Sequence, residues 1–172
     1  MIFDHDDDKP REECGVVGVF GHPQASLLVA LGLHALQHRG QEACGIATTD
    51  GKLFHTERHL GLVGDNFTGD DPSERLPGHI AIGHNRYSTA GQPVLRDVQP
   101  LYSELHSGGF ALAHNGHITN AYTIKDQLVE KGALFQSTSD TEVVLHLISR
   151  SKGKEFSDRF ISFVFPLLPS YL

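Results

Sequence analysis

A chain of 172 residues is long enough for one domain with a real core, and 39% hydrophobic against 20% charged residues is ordinary globular composition, which excludes disorder throughout. A formal net charge of −7, without a Lys/Arg cluster interleaved with aromatics, disfavours nucleic acid or an anionic membrane surface as partner. Two cysteines make no disulfide framework, no apolar signal region precedes them, and no run of 18 apolar residues exists, so the expected compartment is the reducing cytoplasm.

Met1–Glu13 is a charge run that reads as a solvated leader. "CGVVGVF" then predicts a buried strand through Val16, Val17, Val19 and Phe20. Pro23 suits the first position of a helix running through "QASLLVALGLHALQH". Its expected apolar face is Leu27, Leu28, Leu31, His34 and Leu36, and Arg39-Gly40 is its expected end. "CGIATT" and "KLFHTER" are strand-like runs, and Asp50-Gly51 between them signals a type I′ hairpin. Residues 60–78 read as loop. "HIAIGHNRYST" and "GGFALAHNGHITN" each begin as a strand and end in a polar loop. Asn120 is placed to cap a helix with Ala121, Ile124, Leu128 and Val129 on its apolar face, closed by Gly132. Ser139 and Glu142 form a capping-box pattern opening "SDTEVVLHLISRS". Strands and helices mix without regular βα alternation, which predicts an α+β fold with mainly antiparallel sheet. The tail 152–172 is apolar, too short to span a membrane, and atypical for a solvated end.

Several chemistries find no support. Gly15, Gly18 and Gly21 recur every three residues, but neither GxGxxG nor GxxxxGK[ST] is present. His34 and His38 are four apart, yet the intervening Ala-Leu-Gln lacks the glutamate of HExxH, so no metal site is expected.

The cysteines differ. Cys44 sits inside a strand, where a small buried hydrophobe is the default. Cys14 sits between the polar leader and the first core strand. A cut before it would free its own α-amine, whose ordinary pKa of about 7.7–8.0 suits a general base. One residue would then supply thiol nucleophile and base together. Cys14 alone is equally compatible with a structural thiol. Acyl transfer to a thiol also needs oxyanion donors, and Asn115-Gly116 offers a side-chain amide and an unhindered backbone N–H. The same pair is also the commonest turn signal. An amino-acid substrate needs both charged ends held. Arg86, with Thr89 nearby, suits a carboxylate, and Asp140 suits an ammonium, although Asp140 also fits a plain helix N-terminus.

The segments "ECGVVGVFG", "ALQHRGQEACGI", "GLVG", "GHNRYSTAG", "AHNGHITN" and "TSDTE" occur in the order found in class II glutamine amidotransferases, which are N-terminal-nucleophile hydrolases. Over about residues 11–151 the chain resembles that family. "QHRGQE" and "RYSTAG" are most similar to the branch that makes phosphoribosylamine in the first step of purine synthesis. Glucosamine-6-phosphate synthase would show "YRGYDSAG" and "RWATHG" there.

The resemblance implies a four-layer αββα sandwich. It implies Cys14 as nucleophile, exposed by removal of residues 1–13 as a propeptide, and a glutaminase domain over residues 14–151. Asn115 and Gly116 would form the oxyanion hole. Arg86, Thr89 and Asp140 would bind glutamine, and Arg39 would order the surroundings of the nucleophile. A phosphoribosyltransferase domain is expected in the full-length enzyme, which is expected to be a homo-oligomer, and that domain's signature does not occur in these 172 residues. Mg2+ and, in some relatives, an iron–sulfur cluster would belong to that missing region, so no cofactor is expected on this chain. Two alternatives stand beside this reading: an inert glutamine-binding fragment, and the glutaminase domain of another class II amidotransferase.

Overall fold

Four strands form the larger sheet, in the spatial order β1-β4-β2-β3, with every neighbouring pair antiparallel. They are β1 (Gly15–Phe20), β2 (Ala43–Thr49), β3 (Phe54–Leu60) and β4 (Ile80–Arg86). β5 (Leu101–Leu105) and β6 (Gly108–Leu112) pair antiparallel as a second, two-stranded sheet. The helices are α1 (Ala25–Ala35), α2 (Val63–Phe67), α3 (Ala121–Glu130), α4 (Asp140–Arg150) and α5 (Phe156–Val164). The computed structural model describes residues 14–67, 69–87 and 93–164, with side chains up to residue 160. The proposed leader, Thr89 and the last eight residues of the tail lie outside the described residues. The fold is α+β, as the mixed order of elements predicts.

One face of the larger sheet packs on α1. The central strand β2 is buried along its whole length. Its Cys44 and Ile46 meet Val29 and Leu33 of α1 in the first core, which Val63 and Phe67 of α2 extend. The stretch expected to be loop therefore contains a core-forming helical turn. The phase expected for α1 is corrected. Ala25, Ser26, Val29, Ala30 and Leu33 face inward, whereas Leu28 and Leu31 are 39% and 54% exposed. A Cβ on Gly83 would lie 2.5 Å from Val29 and 2.7 Å from Leu33, and one on Gly32 would lie 2.9 Å from Val17. Helix and sheet approach so closely that small and β-branched residues, with Leu33, fit between them, and Leu28 and Leu31 are turned outward. Pro23 lies in the turn before α1 instead of opening it, and the helix ends at Ala35, followed by a 3-10 turn over Gln37–Arg39.

The opposite face of the sheet meets the second sheet. Phe54 of β3 stacks near Tyr102 of β5 with ring centroids 5.1 Å apart, and a side chain on Gly45 would strike the Gln99 carbonyl. The second sheet in turn packs on α4, with Leu101 and Phe110 against Val144, Leu145 and Ile148. α3 joins α4 through Leu128, Ala133 and Val143.

Local signals are refined by the same geometry. β2 and β3 are joined by residues 50–53, longer than a two-residue turn, because the Asp50 carboxylate accepts from Lys52 N and Leu53 N and closes an Asx turn. Asn120 precedes α3 without a side-chain cap bond. The far end of α3 is a Schellman motif: Gly132, at φ +81°, donates to Val129 O, and Ala133 N donates to Leu128 O. Ser139 caps α4 by accepting from Thr141 N at 3.3 Å. Glu142 does not return to Ser139. It accepts instead from Gln136 N, Ser137 N and Ser137 Oγ. In the atypical tail, Phe156 at the start of α5 lies 5.0 Å from the Phe110 ring between centroids while staying partly exposed.

Candidate active site

Alternation along β4 sorts its side chains. Gly83 and Asn85 face α1, where Asn85 Nδ2 donates to Leu33 O at 2.7 Å. His84 and Arg86 therefore face the other way, towards the second sheet and a cavity of about 880 Å³. Cys14 immediately precedes β1, whose Gly15 lies opposite Asn85, so the thiol arrives beside the end of β4. Its Sγ accepts from Tyr87 N at 3.5 Å and donates to Tyr87 O at 3.6 Å. The Cys14 carbonyl accepts from Arg39 Nε at 3.3 Å and from Asn115 Nδ2 at 2.6 Å.

The turn carrying Arg39 is itself fixed. Gln37 Oε1 accepts from Val63 N at 2.7 Å, and a Cβ on Gly40 would lie 2.8 Å from the Arg86 backbone. Only glycine lets this turn lie directly on the end of β4.

Cys14, Arg86, Gly116 and Asp140 come from four separate segments and line the one cavity, together with His84 and His117. Gly116 adopts φ +144°, a conformation that favours glycine, and its neighbour Asn115 reaches back to Cys14. Asn115 thus directs its amide to the cysteine's own carbonyl. Arg86 donates through Nη1 to Asp97 O at 3.0 Å, while its buried Nε has no hydrogen-bond partner among the described residues. Asp140 opens α4. Its Oδ2 accepts from Ile118 N at 2.8 Å and lies 3.7 Å from His117 Nδ1. The site therefore presents a cation and an anion to one cavity that also holds a thiol.

Burial separates the two sulfurs. The Cys44 thiol is pushed up to about 12 by burial and by nearby Asp65, which makes it inert, whereas Cys14 is only half-buried. Burial, then the Arg86 and His114 charges, lower His84 to about 4, so its imidazole is neutral near pH 7. Sequence reasoning missed His84, Tyr87, Asp97 and Gln99. Tyr87 meets the sulfur through its backbone N–H and carbonyl, and Asp97 and Gln99 are buried against partners distant in sequence, which no local pattern announces. Among the described residues, no group of three His, Cys, Asp or Glu side chains is placed to hold a metal ion, and no helix is long and apolar enough to cross a membrane.

A glutamine amidotransferase domain family matches residues 84–165, past the point where the motif resemblance ends. The chain is 61% identical over 156 residues to the amidophosphoribosyltransferase of Rhizobium etli, covering 91% of this chain and 32% of that protein. It is 51% identical over 152 residues to the amidophosphoribosyltransferase of Lacticaseibacillus casei, covering 87% of this chain and 77% of the relative. Among solved structures, glutamine phosphoribosylpyrophosphate amidotransferase from B. subtilis, complexed with ADP and GMP, superposes with a TM-score of 0.79 at 41% identity. That match covers 88% of this chain and 32% of the other. The chain thus spans about a third of the length of most curated relatives it matches.

Proposed function

The chain belongs to the amidophosphoribosyltransferase family, and from that premise we propose that it is the family's glutaminase domain, releasing ammonia from glutamine for phosphoribosylamine synthesis. The observation that carries the reading is the convergence of Cys14, Arg86, Gly116 and Asp140 on one cavity.

The mechanism follows from the side chains. Cleavage before Cys14 frees its α-amine, which takes the thiol proton. The sulfur attacks the glutamine side-chain carbonyl, forming an S–C bond and a tetrahedral oxyanion. Asn115 spends one amide hydrogen on the Cys14 carbonyl and has a second for the oxyanion, beside the Gly116 N–H. As the C–N bond breaks, the α-amine returns its proton to departing ammonia. Water then hydrolyses the thioester to glutamate. Arg86, whose Nε has no partner among the described residues, holds the α-carboxylate with help from Thr89, and Asp140 holds the α-ammonium. Arg39 and Asn115 together fix the Cys14 carbonyl, and with it the direction of the sulfur and nitrogen on the same residue.

The order of packing, α1 on the larger sheet, that sheet on the smaller, and the smaller on α4, supports a four-layer αββα sandwich. The length of the relatives supports a phosphoribosyltransferase domain as the consumer of the ammonia in the full-length enzyme. The test uses the chain starting at Cys14. It is expected to release glutamate from glutamine, and Cys14→Ala is expected to lose at least about a thousandfold of that rate while still binding glutamine. Equal turnover by Cys14→Ala and its parent would overturn the mechanism.

A further inference from the structure

We infer that Asp97 and Gln99 are positioning residues that set the spacing of the glutamine site, a role that rests on the glutaminase reading above. Both are polar, yet they are only 4% and 5% exposed. Asp97 does not line the cavity, whereas Gln99 forms part of its wall. The side-chain bonds of both go to the segments that hold the proposed substrate.

The Asp97 carboxylate accepts from Thr138 N at 2.8 Å and from Thr138 Oγ1 at 2.6 Å. The carbonyl of the same residue accepts from Arg86 Nη1 at 3.0 Å. Asp97 therefore ties the arginine at the end of β4 to the loop that enters α4 two residues before Asp140. Two residues further along, Gln99 Oε1 accepts from His114 N at 2.7 Å, at the base of the turn holding Asn115 and Gly116. One short segment thus fastens the carboxylate-binding, ammonium-binding and oxyanion-binding parts of the site.

The geometry of an α-amino acid explains why such a brace matters. Its carboxylate and ammonium sit on one carbon, so the distance between the two protein charges must match a fixed span. Arg86 and Asp140 belong to different elements, 54 positions apart in the chain, and no backbone ladder connects β4 to α4. A buried carboxylate with two hydrogen bonds is a stiff link, because charge-assisted bonds in a dry site are short and strong. The brace predicts a division of labour. Loosening Asp97 disturbs the clamp on the amino-acid end, whereas loosening Gln99 disturbs the oxyanion turn.

The test measures L-glutamine binding by calorimetry on the Cys14→Ala chain, then with Asp97→Ala, Asp97→Asn or Thr138→Val added. Asp97→Ala is expected to weaken binding by about 10-fold or more, since it removes bonds to a charged acceptor. Asp97→Asn keeps an oxygen for Thr138 N and is expected to recover part of that loss. In the chain with Cys14 intact, Asp97→Ala is expected to raise KM about 10-fold with kcat within about threefold. Gln99→Leu is expected to lower kcat instead. Alkylation of Cys14 by iodoacetamide, which needs neither charged clamp, is expected to keep its parental rate in Asp97→Ala. A general loosening of the fold would change it. Should Asp97→Ala not fold, Thr138→Val removes only the hydroxyl half of the link and reads the same effect at smaller size. A parent chain that binds no glutamine would overturn the glutaminase reading and the brace with it. Parental affinity in both Asp97→Ala and Thr138→Val, on a parent that does bind, would overturn the brace alone.

Discussion

Acidification is expected to unfold this chain partly through one residue, His84. The side chain is 1% exposed, and among the described residues neither ring nitrogen has a hydrogen-bond partner of good geometry. Burial, reinforced by the Arg86 and His114 charges, lowers it from 6.5 to about 4. The sign follows from proton linkage. Between those two values the unfolded chain binds a proton that the folded chain refuses, so the contribution is intact above pH 6.5 and is lost as pH falls towards 4. At about 1.36 kcal/mol for each pKa unit, the full loss is about 3 kcal/mol, and about 2 kcal/mol of it has gone by pH 5. Against a typical total of about 5–15 kcal/mol that is a large share. Urea unfolding of the parent and of His84→Asn, from pH 7.5 to 4.5, isolates the effect. Glu57 is partly desolvated yet held low by hydrogen bonds from Arg75 and His59, and Asp50 is held low by the Leu53 and Lys52 backbone N–H groups. Both carboxylates are common to the two proteins and cancel in the difference. His84→Asn is expected to be flatter by about 2 kcal/mol at pH 5. Parallel curves for the two proteins would refute the assignment.

Two further outcomes follow from the glycines. Gly83→Ala places a methyl against Val29 and Leu33, and is expected to cost about 1–3 kcal/mol in urea unfolding by lifting α1 from the sheet. Gly116→Ala meets the His114 ring at 3.0 Å from a backbone at φ +144°, and is expected to lower kcat for glutamine about 100-fold, with a smaller change in KM, in a steady-state assay.

The parts of this fold legible in sequence are those with a local cause. Turn chemistry marked Gly132 and the place, though not the type, of the Asp50-Gly51 turn, and alternation marked β4. The motifs around Cys14, Arg86, Asn115-Gly116 and Asp140 did arrive at one site. α1 was misphased because nearly all of its residues are apolar, so the buried stripe is selected by the closeness of Gly83 across the interface and not by the helix's own pattern. The short helix Val63–Phe67 escaped because five residues carry too little periodicity to separate from loop. Asp97 was invisible for a related reason: in sequence it is one more polar loop residue, and the hydrogen bonds to its carboxylate come from Thr138, 41 positions away.

The two donors on the Cys14 carbonyl bear on the maturation proposed above. Both grip the residue on the side that would stay if the chain is cut ahead of it. Among the described residues, β1 is also a rim strand, its ladder formed with β4. The proposed cut would therefore take no rung from the described sheet, and it would leave sulfur and newborn amine moored where the uncut chain already sets them.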